Sequence, residues 1–280
     1  METTIKQAMH WAQTQLQQAS DSIHADVEIL LAHVLQKDRA WLHTWPDKIL
    51  NHEQLQTFTR LIERRLQGEP VAYLTGKRGF WTLDLQVNRA TLIPRPETEL
   101  LVEQALLHQP QNQPCQVLDL GTGSGAIALA IASERPSSQV TAIEISADAL
   151  AVAQANAKRL GIKNIQFLHG NWFEPLQKQC FDLIVSNPPY IACHDPHLQQ
   201  GDVRHEPATA LVSGEDGLDA IRIIIGQAAE YLKKDAWLLF EHGYDQADAI
   251  AKLLKKKHYK NITQVRDLAG HVRVSGGQTG

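Results

Sequence analysis

At 280 residues the chain holds one large domain or a medium and a small one, and 43% hydrophobic against 21% charged residues is the balance of a globular protein that folds in water. A formal net charge of −4 argues against a protein whose main partner is a nucleic-acid duplex, since phosphate contacts call for a basic surface. No apolar stretch approaches the ~18 residues that cross a bilayer, the first residues read as an amphipathic helix and not as a signal peptide, and Cys115, Cys180 and Cys193 have no metal or disulfide spacing, which suits a reducing, cytoplasmic setting.

Ile5, Ala8, Met9, Ala12 and Leu16 share one helical face, as do Val27, Leu30, Leu31, Val34 and Leu35. A third helix is predicted from Asn51, where Gln54 three residues on approaches a capping box. It turns Leu55, Phe58, Leu61, Ile62 and Leu66 inward and stops at Gly68-Glu69-Pro70. Residues 1–72 therefore read as a helical bundle with no chemistry of its own, suited to partner recognition. Over residues 73–93 the period changes. Trp81, Leu83, Leu85 and Val87 alternate with Thr82, Asp84 and Gln86, a half-buried strand after a turn at Gly76-Lys77-Arg78-Gly79, so this stretch reads as a β-hairpin linker.

From Pro94-Arg95-Pro96 onward, apolar runs at 116–120, 139–145, 164–168, 181–186 and 236–240 alternate with helical segments at 124–134, 147–160, 216–234 and 244–257. That alternation predicts an α/β fold over 94–280: a Rossmann-like, doubly wound, mainly parallel sheet with ligands at the carboxyl ends of its strands. Lys255-Lys256-Lys257-His258 reads as a solvated helix end. His194 and His197, beside Asp195-Pro196, read as a surface turn, and no metal site is expected.

Within the α/β part, Val117 to Ala126 is a strand running into Gly121-Thr122-Gly123-Ser124-Gly125 and then a helix. Such a turn brings backbone close to a ligand, and Gly121, Gly123 and Ala126 also meet the permissive dinucleotide pattern. Asp119 at the strand end argues against a dinucleotide, because a carboxylate opposes a pyrophosphate and favours a cationic ligand such as S-adenosylmethionine. Glu144, roughly 20 positions past the glycines, suits ribose hydroxyls of either cofactor. Asn171 and Trp172 end the third strand where an adenine can lie. Asn187-Pro188-Pro189-Tyr190 follows the next strand. Proline fixes φ and has no N–H, so this turn offers an amide oxygen, a bare carbonyl and an aromatic face, a set that suits a planar –NH₂ group.

Together these motifs resemble the HemK/PrmC-type methyltransferases, the family that methylates glutamine in peptide chain release factors. Gly68-Glu69-Pro70-Val71-Ala72-Tyr73-Leu74-Thr75-Gly76, Pro94 to Glu99, the glycine loop, Asn187 to Tyr190, and Glu206-Pro207 leading to Ala210-Leu211 carry the likeness over nearly the whole chain. The resemblance implies a class I methyltransferase domain behind a helical domain and hairpin. It places S-adenosylmethionine against Asp119, Gly121, Thr122, Gly123, Ser124, Gly125, Glu144, Trp172 and Asn187. The substrate glutamine enters at Asn187, Pro188, Pro189 and Tyr190, with Asn187, Pro188 and Tyr190 as the catalytic set. The chain departs from the family at Asn171, where an acidic residue is expected, and at Glu144, where Asp is. Arg95 and Glu97 are candidates for the substrate mouth or for an interdomain ion pair. The implied partner is a release factor, with no direct nucleic-acid or membrane contact, and a monomer is expected. The alternative is a nucleic-acid methyltransferase acting on the exocyclic amine of adenine or guanine, which fits the same turn but calls for a basic groove. A non-catalytic binding module conflicts with retention of both motifs, and a dehydrogenase has no use for the Asn-Pro-Pro-Tyr turn.

The chain ends Ser275-Gly276-Gly277-Gln278-Thr279-Gly280, repeating the Gly-Gly-Gln tripeptide that the family methylates. A frayed tail and a coincidental match are the expectation, with self-methylation or occupancy of the pocket by the tail as the sharper alternative.

Overall fold

Thr4 with Gln7, and Asn51 with Gln54, satisfy each other's backbone N–H groups and so start the first and fourth helices of a computed structural model that describes residues 2–17, 20, 22–111, 113–177 and 179–280. The helices are α1 (Ile5–Leu16), α2 (Ile23–Leu35), α3 (Arg39–Thr44), α4 (His52–Leu66) and α5 (Val71–Thr75). Ile5, Ala8, Leu16, Val27, Leu30, Leu31, Phe58 and Ile62 form their shared core. Periodicity does not announce α3 and α5, which have 6 and 5 residues and cannot show a repeat. The helical unit comprises Met1–Lys77 together with Gln199–His205. Arg65, largely buried, holds that returning segment: Nε donates to Asp26 at 2.8 Å and Nη1 to Asp202 at 3.0 Å.

The second unit comprises Arg78–Leu198 and Glu206–Gly280. Strands β1 (Lys77–Phe80) and β2 (Leu83–Gln86) form a two-stranded sheet. The turn expected at 76–79 lies instead at Trp81-Thr82, and Lys77–Phe80 is strand. Trp81 takes φ 56° there, its backbone N–H bonded to Glu99 at 2.8 Å and its indole N–H to Glu134 at 2.8 Å, which fixes a bulky residue in a turn position.

The remaining elements are α6 (Glu99–Leu107), β3 (Gln116–Leu120), α7 (Ala126–Glu134), β4 (Gln139–Glu144), α8 (Ala147–Leu160), β5 (Ile165–His169), β6 (Phe181–Ser186), α9 (Asp219–Gln227), β7 (Leu232–Glu241), α10 (Ala247–Lys256), β8 (Lys260–Arg266) and β9 (Val272–Gln278). The seven-stranded sheet runs β5-β4-β3-β6-β7-β9-β8, parallel except where β9 pairs antiparallel with β7 and β8. Alternate residues feed opposite layers: Val117, Leu183, Val185 and Leu239 pack with α6 and α7, while Leu118, Leu120, Ile184, Leu238 and Phe240 pack with α9 and α10. The helix expected over 216–234 is only α9, and β7 begins at Leu232, because exposed Lys233, Lys234 and Asp235 hide its start. Among the described residues no helix is long and apolar enough to cross a membrane.

The chain end is strand, not a frayed tail. Gly276 pairs with Leu239 and Gly277 with Leu238, and a Cβ on Gly276 would sit 2.3 Å from the Leu238 carbonyl oxygen. Gln278 donates through Nε2 to the Asp235 carbonyl at 2.6 Å and accepts through Oε1 from Asn261 at 2.7 Å. The tripeptide is therefore consumed by sheet packing, which argues against self-methylation. Gly276→Val should lower unfolding free energy by at least about 1–3 kcal/mol, read by urea denaturation. A variant as stable as the parent would show that β9 does not pack against β7 this tightly.

Candidate active site

Strand order reverses between β3 and β6, since the chain leaves β3 towards β4 and β5 and returns on the other side. Such a switch point opens a crevice at the carboxyl ends of the strands. Here it holds a cleft with about 700 Å³ of empty space, lined by Gly121 and Gly123 after β3, by Glu144, Ile145 and Ser146 after β4, by Gly170, Asn171 and Trp172 after β5, and by Asn187 and Pro189 after β6. Ala90, Thr91, Leu92, Ile143, Ala149, Pro207, Thr209 and Ala210 complete the wall.

The glycine loop takes φ values of 73°, 56° and 86° at Gly121, Gly123 and Gly125, a region that side chains disfavour. The three have different reasons. A Cβ on Gly125 would press on Leu129 at 2.9 Å, whereas one on Gly123 would meet nothing within 4 Å, so the loop is packed beneath and open above. A Cβ on Gly121 would touch the Trp172 ring at 3.6 Å. Trp172 itself adopts φ 48°, a conformation bulky residues rarely hold without cause. Glu144 carries the loop: Oε2 accepts the Gly123 N–H at 2.8 Å and Oε1 the Ser146 N–H at 2.9 Å.

Of the residues expected to bind cofactor, Gly121, Gly123, Glu144, Trp172 and Asn187 line the cleft, as does Asn171. Asp119, Thr122, Ser124 and Gly125 lie outside that wall. Asp119 is fully buried, and its Oδ2 accepts the Thr122 hydroxyl at 2.6 Å while Oδ1 has no partner among the described residues. Of the catalytic set, Asn187 and Pro189 line the cleft, Pro188 is buried, and Tyr190 turns its hydroxyl to Glu241 Oε1 at 3.2 Å. Burial, with the Glu241 charge beside it, pushes the Tyr190 phenol well above its usual range. Asn187 Nδ2 donates to Thr98 Oγ1 at 3.2 Å, which leaves Oδ1 available to a ligand.

Arg95 pairs with Glu206, whose side chain is fully buried and whose Oε2 also accepts the Ile93 N–H at 3.2 Å. Both ends of that ion pair belong to the α/β unit, and it fixes the approach to the cleft residues Pro207, Thr209 and Ala210. Sequence reasoning missed Glu241, gave Thr98 no role although it lies in the Pro94-to-Glu99 motif, and missed Leu92 and Thr209 as cleft wall. Glu206-Pro207 was visible as a motif but carried no assigned place. His197 bonds Asp195 at 2.7 Å through Nδ1 in an exposed loop.

Residues 7–76 match the family model described as the PrmC N-terminal domain, and residues 111–277 match one described as a methyltransferase domain. The chain is similar to the release factor glutamine methyltransferase of Vibrio cholerae, 52% identical over 280 residues with 99% of this chain and 98% of that one covered. It is also similar to the release factor glutamine methyltransferase of Xylella fastidiosa, 53% identical over 253 residues, with 90% and 92% covered. The crystal structure of a methyltransferase from Pyrococcus furiosus shares the fold, with a TM-score of 0.55 at 17% identity over 79% of this chain and 99% of that one.

Burial pushes the Asp119 carboxyl from its ordinary 3.8 up to about 7; the Thr122 hydroxyl and the Ala128 N–H oppose this, and the Glu144 charge adds to it. The folded protein thus keeps a proton that the unfolded chain has released, so stability falls as pH rises from about 4 to about 7. Asp119→Asn has no such proton. Urea unfolding at about pH 5 and about pH 8 should show the parent losing more stability than this variant. Equal losses would mean that Asp119 ionises as readily folded as unfolded.

Proposed function

The chain belongs to the release factor glutamine methyltransferase family, and from that premise we propose that it methylates the side-chain amide nitrogen of the glutamine in the Gly-Gly-Gln motif of peptide chain release factors, supporting translation termination. Its α/β unit has the class I methyltransferase fold, and S-adenosylmethionine is the methyl donor. The observation that carries the reading at the site is Asn187, at the switch point, with its amide nitrogen tied to Thr98 and its oxygen left for a ligand.

The residues present suit that donor. S-adenosylmethionine supplies an electrophilic sulfonium methyl group and brings a cationic amino group. The unsatisfied Oδ1 of Asp119 offers a counter-charge below the loop, and Gly123 leaves space above it. Glu144 keeps lone pairs for ribose hydroxyls, and Trp172 flanks the adenine. Asn171 donates through Nδ2 to Glu174 at 3.3 Å, so its oxygen is free to accept the adenine amine in place of an acidic residue.

An amide nitrogen is a poor nucleophile, because its lone pair is delocalised into the carbonyl. In this reading Asn187 Oδ1 and the Pro188 carbonyl accept its two N–H bonds and aim the lone pair at the methyl group. Tyr190 covers the amide plane, and Pro189 stiffens the turn. The nitrogen would take the methyl group as the sulfur–methyl bond breaks and S-adenosylhomocysteine leaves with that electron pair, and would give up a proton to water, so no strong base is needed. Positioning and aligned dipoles supply the rate. The helical unit, which has no chemistry of its own, serves release factor recognition. The enzyme works in the cytoplasm as a monomer, without direct nucleic-acid contact.

Mass spectrometry of a release factor incubated with enzyme and S-adenosylmethionine should show one added methyl on the Gly-Gly-Gln glutamine, with none on DNA or RNA treated alike. Asn187→Ala should cost about 10²–10³ in kcat with the fold intact. Near-parental turnover by that variant would falsify the assignment of Asn187.

A further inference from the structure

We propose that Gln246 is a positioning residue for methyl transfer, holding Tyr190 by its carbonyl and so fixing the shape of the Asn-Pro-Pro-Tyr turn; this rests on the function proposed above. Pro188 and Pro189 stiffen the middle of that turn, but neither has an N–H with which to tie it down. The bonds that hold it come from other segments, and they gather on Tyr190, the residue that covers the substrate amide.

Gln246 Nε2 donates to the Tyr190 carbonyl at 2.9 Å, while its Oε1 accepts the Gly243 N–H at 2.9 Å. The second bond sets the direction of the first. A flipped amide would turn its –NH₂ group against the Gly243 N–H and its oxygen against the Tyr190 carbonyl. Gly217, buried and at φ 76°, lies beside the bond to Tyr190: a Cβ there would sit 2.2 Å from the Tyr190 carbonyl oxygen and 2.7 Å from Gln246 Nε2. At the other end of Tyr190 the phenol donates to Glu241 Oε1 at 3.2 Å. The stretch from Glu241 to Gln246, between β7 and α10, thus grips one residue by backbone and by ring. Beyond it the chain is braced again, since the Ile191 N–H donates to the Leu211 carbonyl at 2.9 Å and the Ser213 N–H to the Ile191 carbonyl at 2.9 Å.

Gln246 stands just before the first turn of α10, where Ser, Thr, Asp or Asn ordinarily caps a helix, yet its side chain makes no capping bond. A short polar residue would start α10 better. The glutamine forgoes that local gain and gives the two ends of its amide to Gly243 and Tyr190 instead. A residue that breaks a local rule in favour of a partner far along the chain points to a functional constraint.

The test compares the full-length parent with Gln246→Met and Gln246→Ser, with release factor as substrate and calorimetry for S-adenosylmethionine binding. Met keeps the length without the hydrogen bonds, and Ser can cap α10 but is too short to hold Tyr190. Each variant should lose roughly 10- to 100-fold in kcat. Cofactor affinity and release factor KM should stay within about twofold of the parent, since the fault falls on the reacting amide and not on the wider docking of the release factor. A role confined to starting α10 predicts instead that Gln246→Ser matches the parent, serine being the better cap. A kcat within about threefold of the parent in either variant, or a loss confined to KM, would overturn the proposal. If Gln246→Met does not fold by circular dichroism, Gln246→Ser decides by the same kcat and KM criteria. A parent that binds S-adenosylmethionine yet leaves release factor unmodified defeats the functional reading itself, a result distinct from any of these.

Discussion

Two carboxyl groups buried at the carboxyl ends of parallel strands set the terms for the chemistry around them. Asp119 on β3 is fully buried, Glu241 on β7 is 2% exposed, and each has an oxygen with no partner among the described residues. Their strand neighbours Leu118, Leu120, Leu239 and Phe240 are apolar and wholly buried, so nothing in the packing calls for an acid at either place. A buried charge that lacks a full set of partners costs several kcal/mol. Both groups are accordingly pushed above the usual carboxylate range by burial, and each is partly relieved by a threonine hydroxyl, Thr122 for one and Thr98 for the other. Stability alone would replace them with leucine.

The strand order gives the two acids different surroundings. In the sequence β3-β6-β7 the Asn187 turn leaves the central strand, with Asp119 on one flank and Glu241 on the other. The β3 side carries the glycine loop, which lines the cleft at Gly121 and Gly123, while Asp119 itself lies buried outside that wall. The β7 side lines none of the cleft, and Glu241 accepts the Tyr190 hydroxyl instead. The reversal of strand order brings both surroundings to one place, because β6 is where the chain returns beside β3.

The parts of this arrangement visible in the sequence are those that repeat locally. The strand and glycine loop at 117–126, the acid at Glu144 and the Asn-Pro-Pro-Tyr turn each occupy a few consecutive residues whose chemistry is plain. The helical faces of α1, α2 and α4 repeat over enough turns to be read. What stayed hidden depends on partners far along the chain. Thr98 lies in the Pro94-to-Glu99 motif, yet its contact with Asn187, 89 positions later, is not legible from that motif. Glu241 looks like the polar end of an apolar run until Tyr190 is beside it. The segment Gln199–His205 shows no helical period, and it joins the helical unit through Arg65, far back in the chain. Strands β8 and β9 escaped for a different reason: polar residues outnumber apolar ones in β8, β9 runs out into Ser275-Gly276-Gly277-Gln278, and their place follows from the edge of β7 rather than from their own pattern.

The closing Gly-Gly-Gln shows why composition at a site is a weaker guide than presentation. The tripeptide in β9 has the same atoms as the one the family methylates, yet its glutamine has both ends of its amide engaged, with Asp235 and with Asn261. Methylation in the manner derived for Asn187 needs both N–H bonds handed to the enzyme and a lone pair free to turn towards the donor. An amide held in a sheet offers neither. Its glycines, moreover, are there because Leu238 and Leu239 leave no room for a Cβ at Gly276, which is a packing requirement and not a recognition signal. The hydrogen bonds already made by Gln278 are what set this tripeptide apart from one free to be methylated.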